Sequence, residues 1–303
     1  MFIATVIVTF NRKDLLDKVL GLHCSQTKSS DSIIIIDNAS TDGTHTMLSQ
    51  KGWLQNSAIS LIELTQNTGG AGGFSTGLQK AIEYGAEWIW MMDDDAEPHA
   101  TALHELMKIA NNPKNIYGSL AVNKSDTSWL TTVVNPPLGI IDTADKIPSE
   151  AEVQFLPFLG FLIHRDLVKK IGLPDAGFFI AADDVEYCIR AQNFGAKIIV
   201  AGHSRIEHPK SHTSQINIFG KKIFFLSLPP WKRYYDTRNR LLIARKHYGF
   251  RFFTQTIPGS ILRFFIALIK EPQKLAQSRA FIAGFIDGVM QRKGKRHVHW
   301  GIK

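Results

Sequence analysis

Short apolar runs alternate with stretches of helical spacing along the first two hundred residues. The apolar runs are rich in β-branched residues and end in polar ones, as buried parallel strands do. They cover residues 2–10, 32–37, 58–64 and 87–92. Between them, apolar residues recur at the spacing of one helix face, over residues 13–26, 44–50 and 77–85. The alternation predicts a doubly wound α/β sheet that binds ligands beyond the carboxyl ends of its strands.

The pattern changes twice further along the chain. Residues 120–155 are mixed and predict a loop-rich insert with room for one hairpin. An apolar run, a helix and a strand are then predicted at residues 155–164, 183–193 and 197–201. Aromatic-rich helical spacing follows, over residues 231–248, 250–269 and 273–290. We therefore predict an α/β catalytic domain at residues 1–210 and a basic, mainly helical region at residues 211–303.

Charge separates nearly the same two regions. The chain has a formal net charge of +8, but residues 1–209 sum to −8 and residues 210–303 to +16. The acidic region would repel a nucleotide diphosphate unless a cation intervened, whereas the basic region favours an anionic partner.

Composition narrows the class of protein. A hydrophobic content of 44% allows a sizeable core and argues against intrinsic disorder. Cys24 and Cys188 are too few for a disulfide framework, which favours a reducing cytosol, and the amino terminus lacks the basic segment of a signal peptide. Residues 250–270 are apolar but contain Arg251 and Arg263, so we do not expect them to span a membrane.

Three consecutive carboxylates follow the apolar run that ends at residue 92. Asp93, Asp94 and Asp95 would raise one another's pKa values, and a bound hard cation relieves such repulsion. Mg²⁺ and Mn²⁺ prefer oxygen ligands and commonly bridge carboxylates to phosphates. The run predicts a site for a metal and a diphosphate, with a solvated acidic turn as the alternative.

A glycine-rich segment precedes the third predicted helix. Four glycines lie within residues 69–73, directly after Asn67 and Thr68, and glycine lets the backbone approach a ligand closely. Such a loop before a helix can cradle phosphate or sugar oxygens. The spacing matches neither the dinucleotide-binding motif nor the P-loop, and a plain flexible turn is the alternative.

Two further motifs carry ionisable side chains. Asp183 and Asp184 follow an apolar run, where an acidic pair suits a general base at a partly buried site, although either could simply cap the next helix. His208 follows the strand predicted at residues 197–201. Its neutral imidazole would complete a site of two carboxylates and one histidine, with a purely structural role as the alternative.

In their order along the chain, these segments resemble the family-2 glycosyltransferases of the GT-A fold, and among them the bacterial galactofuranosyltransferases. The resemblance covers about residues 3–245 and depends on residues 6–12, 36–43, 67–74, 93–95, 183–184, 208 and 231–239. The chain is shorter than the large galactofuranose polymerases of that group and lacks their extra amino-terminal β domain. Ala182 stands before the acidic pair, where the group has an aromatic residue.

The resemblance implies an inverting transfer of galactofuranose from UDP-galactofuranose. It implies that Asp93, Asp95 and His208 hold a divalent metal, Mn²⁺ or Mg²⁺. It implies that Asp184 takes the proton from an acceptor hydroxyl and that Asp183 orients the acceptor. The residues expected to bind the donor are Phe10, Asn11, Arg12, Asp37, Asn67, Gly69, Gly70 and Asp94.

The basic region predicts peripheral association with the anionic inner face of the plasma membrane. That location fits a polyprenyl-diphosphate-linked glycan acceptor in cell-surface polysaccharide synthesis, of the O-antigen or galactan type. The alternative is a solvated basic face whose aromatic residues point to the core. The aromatic residues concerned are Phe224, Phe225, Trp231, Phe250, Phe252, Phe253, Phe264, Phe265 and Phe281.

Other functions remain open at this stage. The donor could be dTDP-rhamnose or another nucleotide sugar, and a nucleotidyltransferase would share the sheet and the carboxylate-bound metal. Nucleic acid is not expected as a partner, because the acidic region opposes it and the basic region carries no recognition motif. The sequence leaves the oligomeric state open, a homo-oligomer included.

Overall fold

The computed structural model describes residues 1–210, 213–218 and 221–302, without the side chains of residues 213–218 and 221–225. Its amino-terminal part alternates strands and helices, as predicted. Four parallel strands lie in the order β3-β2-β1-β4. These elements are β1 (Ile3–Thr9), α1 (Lys13–Cys24), β2 (Ser32–Asp37), α2 (Thr44–Gln50), β3 (Ile59–Glu63), α3 (Gly69–Glu83) and β4 (Trp88–Asp93).

The same sheet continues past β4 with strands of mixed direction, in the order β4-β10-β6-β11-β9-β7-β8. Strand β10 is antiparallel to both of its neighbours, and β11 is parallel to β6. The hairpin expected within residues 120–155 is formed by β6 and β7. These elements are β5 (Glu97–Pro98), α4 (Ala102–Ile109), β6 (Ile116–Asn123), β7 (Asp126–Asn135), β8 (Gly139–Thr143), β9 (Ala151–Val153), β10 (Phe161–His164), α5 (Arg165–Ile171), α6 (Asp183–Asn193) and β11 (Ile198–Glu207).

Alternating side chains of the strands build a core on each face of this sheet. On β1, Val6 and Val8 pack with α3 and α6, whereas Ile3 and Ile7 pack with α1 and α4. Strands covered by helices on both faces have no polar side. This explains why β1 is buried at every position.

The glycine-rich segment is the start of a helix and not the loop that we predicted. Helix α3 begins at Gly69, well before the expected residue 77. A Cβ atom at Gly73 would lie 2.5 Å from a Val8 methyl carbon, and one at Gly77 would lie 2.3 Å from a Val6 methyl carbon. The glycines therefore let the helix axis approach β1 closely. In the sequence alone, glycines with this role look the same as glycines of a loop.

The region after residue 210 is mainly helical, as predicted, after a short antiparallel pair of strands. Helix α7 packs along α9, and several of its polar side chains are buried. The elements are β12 (Thr213–Ile218), β13 (Lys221–Leu226), α7 (Pro230–His247), a π-helical turn (Phe252–Thr256), α8 (Ile257–Lys270) and α9 (Lys274–Val289). The division of the chain at residue 210 stays a prediction.

The aromatic residues of this region do not all face outward. Phe252 and Phe281 are buried, so the expectation that they contact a membrane is wrong. Phe264 is half-buried and stacks on Phe281. The side chains of Phe224 and Phe225 lie outside the described residues.

An apolar surface nevertheless remains on the last helices. Its largest exposed side chains are Phe250, Phe253, Ile261, Leu262, Phe265, Ile269 and Leu275. Within the described part of the chain, Phe252–Lys270 is the one helical stretch long and apolar enough to cross a membrane by length and composition, and 22% of it is buried. That criterion alone is weak evidence of a membrane span.

Candidate active site

A cavity of about 670 Å³ opens at the carboxyl ends of the parallel strands, where such sheets bind ligands. It collects most of the predicted donor and metal residues from four separate segments. The predicted residues that line it are Phe10, Arg12, Asn67, Gly69, Gly70, Asp93, Asp94, Asp95 and His208.

The three aspartates at the end of β4 have different surroundings. Asp94 is 3% exposed and points inward, where it accepts hydrogen bonds from Thr9 Oγ1 at 2.7 Å and from Arg12 Nη1 at 3.1 Å. Asp95 accepts a second bond from Arg12, at 2.7 Å. Arg12 is thus the cation that pairs with this carboxylate run.

Asp93 has no such cation in direct contact within the described residues. Desolvation, followed by the charges of Asp95, Asp94 and Asp183, raises the pKa of Asp93 well above its ordinary value. A carboxylate held ionised against this repulsion needs positive charge nearby.

His208 lies at the end of β11 with one ring nitrogen directed at the aspartates. Its Nδ1 is 2.8 Å from the Pro209 carbonyl oxygen, which assigns the proton to Nδ1. The lone pair of Nε2 then lies on the side of Asp95, whose Oδ1 is 3.7 Å away. Desolvation lowers the pKa of His208, so the ring is neutral at pH 7 and fit to bind a metal.

These donors fit a hard divalent cation, being carboxylate oxygens and one neutral imidazole nitrogen. Within the described residues, no three His, Cys, Asp or Glu side chains already converge as a metal cluster. Arg12 holds Asp95 instead. The fit therefore depends on donor type and on the unbalanced charge at Asp93.

Asn11 and Asp37 are not among the lining residues of the cavity. The Asn11 side chain accepts the Thr41 backbone N–H at 2.7 Å, and that of Asp37 accepts the Ser40 N–H at 2.9 Å. Both side chains fix the turn after β2, so their predicted contacts with the nucleotide remain predictions.

The start of α3 is shaped by side chains of two neighbouring loops. Asn67 Oδ1 accepts the Gly69 N–H at 2.8 Å, and Asn38 Nδ2 donates to the Gly69 carbonyl oxygen at 2.8 Å. Asn38 also lines the cavity; it lies in the segment 36–43 that carries the family resemblance, but it is not among the predicted donor residues. A Cβ atom at Gly69 would lie 2.0 Å from the Phe179 carbonyl oxygen, so only glycine fits between the two loops.

Asp183 and Asp184 begin α6 beside the cavity and are not among its lining residues. Burial raises the pKa values of both, and the charge of Asp184 raises that of Asp183 further. The charge of Asp183 in turn acts on Asp93. The acidic pair is therefore near the metal-site candidates and has the proton affinity of a general base.

The loop before this pair is strained and is held in place by α7. Phe179, Ala181 and Ala182 all have positive φ angles, of 65°, 71° and 60°, which side chains other than glycine seldom adopt. Asn239 Nδ2 lies 2.8 Å from the Ile180 carbonyl oxygen and 2.7 Å from that of Ala181.

Sequence reasoning missed a further part of the lining. Phe179, Ile180, Trp231, Lys232, Lys295 and His297 also face the cavity. Trp231 and Lys232 lie in a segment that carried the family resemblance, but Trp231 was expected at a membrane surface or in the core and Lys232 was given no role. Lys295 and His297 looked like ordinary members of a basic region.

Comparison with known proteins agrees with this architecture. The model of glycosyl transferase family 2 matches residues 5–172. A galactofuranosyltransferase, GlfT1 of Mycobacterium tuberculosis, is 29% identical over 243 residues, which cover 78% of this chain and 79% of that protein. The dTDP-rhamnosyl transferase RfbF of Shigella flexneri is 23% identical over 294 residues, or 95% of each chain.

The fold is likewise shared with solved glycosyltransferases. GalNAc-T7, solved with UDP, GalNAc and Mn²⁺, superposes with a TM-score of 0.65 at 15% identity. The match covers all of this chain and 58% of that one. The predicted GT-A fold is confirmed, and the chain belongs to glycosyl transferase family 2, as a nucleotide-sugar glycosyltransferase.

Proposed function

We propose that this glycosyltransferase moves galactofuranose from UDP-galactofuranose to a hydroxyl of a lipid-linked glycan, with inversion at the anomeric carbon. The proposal rests on one observation: Asp93, Asp95 and His208 line the same cavity as the start of α3. The choice of sugar is supported by the similarity to GlfT1.

Asp93, Asp95 and His208 would hold Mn²⁺ or Mg²⁺. When bound, the ion supplies Lewis-acid neutralisation of the charge that develops on the leaving diphosphate. Mn²⁺ is present together with UDP in the GalNAc-T7 structure, which supports a divalent ion of this kind here. The unbalanced charge of Asp93 is the local reason to expect it.

The donor would lie along the start of α3 and the end of β1. Phe10, Arg12 and Asn67 line that part of the cavity, and the backbone of Gly69 and Gly70 faces it. In this arrangement Asp94 acts through Arg12, which it holds in place, and Asn11 and Asp37 shape the turn beneath the nucleotide.

Asp184 would take the proton of the acceptor hydroxyl while Asp183 orients the acceptor. As the proton moves to the carboxylate, the acceptor oxygen bonds to the anomeric carbon and the bond to the diphosphate breaks on the opposite face. The raised pKa of Asp184 favours this transfer, because a base works best when its pKa is near the working pH.

The decisive experiment is a donor screen by mass spectrometry with a short galactan acceptor. UDP-galactofuranose, UDP-galactopyranose and dTDP-rhamnose are offered separately, and only the first is expected to extend the acceptor. Transfer from dTDP-rhamnose alone would establish the second candidate, which the match to RfbF over 95% of the chain supports. Transfer of a nucleotidyl group, with release of the sugar 1-phosphate, would overturn both.

We further propose that the protein binds the inner face of the plasma membrane through the apolar surface on α8. Phe265 and Ile269 on α8, and Phe253 in the π-helical turn before it, are 56–67% exposed, and residues 210–303 have a net charge of +16. Such a face fits an anionic bilayer and a polyprenyl-linked acceptor. Sedimentation with anionic vesicles at moderate salt tests it, and binding should weaken for Phe265→Ser but not for Phe194→Ser, a similarly exposed aromatic residue at the end of α6.

A further inference from the structure

Two lysines in the cavity lining have no acidic partner. Within the described residues, neither Lys232 nor Lys295 has a carboxylate oxygen within 4.0 Å of its ammonium nitrogen. Each lies over an aromatic ring instead, Lys232 Nζ at 5.5 Å from the centre of Trp231 and Lys295 Nζ at 5.8 Å from that of Phe179. Both ammonium groups can still donate hydrogen bonds to a ligand in the cavity.

The segment that carries Lys295 is firmly attached to the rest of the molecule. Arg238, which is fully buried, donates from Nη1 to the Gly294 carbonyl oxygen at 2.6 Å. The Gly294 N–H donates to the Gly177 carbonyl oxygen at 2.6 Å. The backbone next to Lys295 is thus fixed from both sides and positions the side chain at the cavity.

A buried carboxylate anchors the other end of this segment. Asp287 on α9 has no exposed surface, and its Oδ2 accepts hydrogen bonds from Tyr234 at 2.6 Å and from Trp300 and Arg296 at 3.0 Å. Charge-assisted bonds of this kind are the strong ones in a protein interior. Hydrogen bonds to buried groups therefore hold the segment 294–300 in a fixed position in the wall of the cavity.

His297 adds a third donor in the same place. Burial raises the pKa of Tyr235, and the charge of Arg238 lowers it by less, so the pKa rises to about 12. The phenol therefore keeps its proton. Tyr235 OH lies 2.7 Å from His297 Nδ1, and burial lowers the pKa of His297, so we assign the tautomer in which the phenol donates to Nδ1. A neutral imidazole then carries its own proton on Nε2, free to bond a ligand.

We propose that Lys232, Lys295 and His297 form a subsite for a diphosphate, which makes the segment 294–300 part of the active site. Two unpaired ammonium groups and an N–H donor match the oxygens of one diphosphate in charge and in donor count. The identity of that diphosphate rests on the proposed function: it is the leaving group of the donor or the linkage of a lipid-linked acceptor.

Direct binding measurements test the subsite without any turnover. Calorimetric dissociation constants for UDP and for inorganic pyrophosphate are compared between the wild type, Lys232→Ala and Lys295→Ala. The matched control is Lys293→Ala, since Lys293 pairs with Asp175 at 2.6 Å on the surface and does not line the cavity. Lys295→Arg, which keeps the charge, should recover most of the binding.

Pyrophosphate affinity should fall about tenfold for each alanine variant, the loss of one charge-assisted hydrogen bond. If the subsite holds the donor, UDP affinity falls by the same factor. If it holds the acceptor, UDP affinity is kept, and the KM of a lipid-diphosphate acceptor rises about tenfold while that of an acceptor without diphosphate is unchanged.

Pyrophosphate and UDP affinities within twofold of wild type, together with an unchanged KM for the lipid-diphosphate acceptor, would overturn the subsite. Thermal melting of each variant near the wild-type temperature confirms that the comparison is between folded proteins. Failure of the proposed function would look different. The donor screen would then show transfer of another sugar or group, while the lysine variants would still bind pyrophosphate more weakly than the wild type.

Discussion

The acidic and the basic parts of the cavity lining are built in opposite ways. Asp93, Asp94 and Asp95 are adjacent in the sequence and lie at the end of a buried strand. Lys232 and Lys295 come from α7 and from the segment after α9, and only tertiary packing brings them together. A motif that is contiguous in sequence can be recognised from its pattern, whereas one assembled from distant segments needs the fold.

The two parts also differ in how they are supported. The acidic run is held by Thr9 and Arg12, which belong to the neighbouring strand and its loop. The basic part depends on hydrogen bonds to buried groups of α7 and α9, such as Arg238 and Asp287. Substitutions should therefore affect chemistry in the first case and positioning in the second.

The largest effect is expected when the acidic part loses its charge. Replacing Asp93 and Asp95 together with asparagine should lower kcat/KM by at least about 10⁴-fold, because a metal at such a site supplies several kcal/mol of stabilisation. Excess EDTA should abolish wild-type activity in the same assay. Glu83→Gln, an exposed carboxylate on α3, is the matched control, and a double variant still stimulated by Mn²⁺ would contradict the assignment.

A smaller loss is expected at the acidic pair of α6. Asp184→Asn should lower kcat by about 10²–10⁴-fold, the usual contribution of a general base, with UDP affinity unchanged. Burial raises the pKa of Asp184 above the ordinary 3.8, and the base must be ionised. The wild-type rate should therefore fall as pH drops toward that raised pKa, and the residual activity of the variant should lack this acid limb.

The support from α7 is tested at Asn239. Asn239→Ala removes the hydrogen bonds to the Ile180 and Ala181 carbonyl oxygens and leaves a strained loop without its partner. We expect the free energy of unfolding to fall by about 3 kcal/mol, with a lower kcat as the acidic pair shifts. Chemical denaturation measures the first effect, and Gln50→Ala, which removes an exposed amide at the end of α2, should change neither.

The smallest effect concerns an ion pair that joins α6 to α7. Burial raises the pKa of Glu186, but hydrogen bonds from Arg190 and Lys246 outweigh it and bring the pKa down to about 2. A depressed carboxylate pKa stabilises the fold above the unfolded value of 4.5, and this stability is lost as pH falls toward 2.

Glu186→Gln should therefore lower the free energy of unfolding by about 2 kcal/mol at neutral pH. The gap to the wild type should close between about pH 4.5 and pH 2, as measured by urea titrations across that range. A gap that stayed constant with pH would show that the charge of Glu186 contributes nothing.

Much of the fold could be predicted because its strands are continuous apolar runs. Strands β1, β2 and β4 are buried on both faces, so their sequences carry an unmistakable signal. The start of α3 was mispredicted because glycines that allow close packing on Val6 and Val8 look the same as glycines in a loop. Local composition does not record what lies across from a residue.

The same limit applied to the site. Asp93, Asp95 and His208 could be predicted to share a cavity, because carboxylates at a strand end and a histidine after a later strand have a recognisable order; their role as metal ligands stays a prediction. Lys295 was not, because one lysine among many in a basic region has no local mark. Only unpaired charge next to a cavity distinguishes it, and pairing is a property of the folded chain.

The strained loop at residues 179–182 has a consequence for protein synthesis. Its carbonyl groups are bonded by Asn239 and Arg238, and Arg238 is itself bonded to Gly294. A ribosome that has released only the sheet and α6 therefore carries a chain in which Thr9 and Arg12 already hold the run Asp93–Asp95, whereas the loop before Asp183 and Asp184 still lacks Asn239. Activity should therefore begin only after α7 and the segment 294–300 have been made, so a chain that stops before α7 would not consume nucleotide sugar.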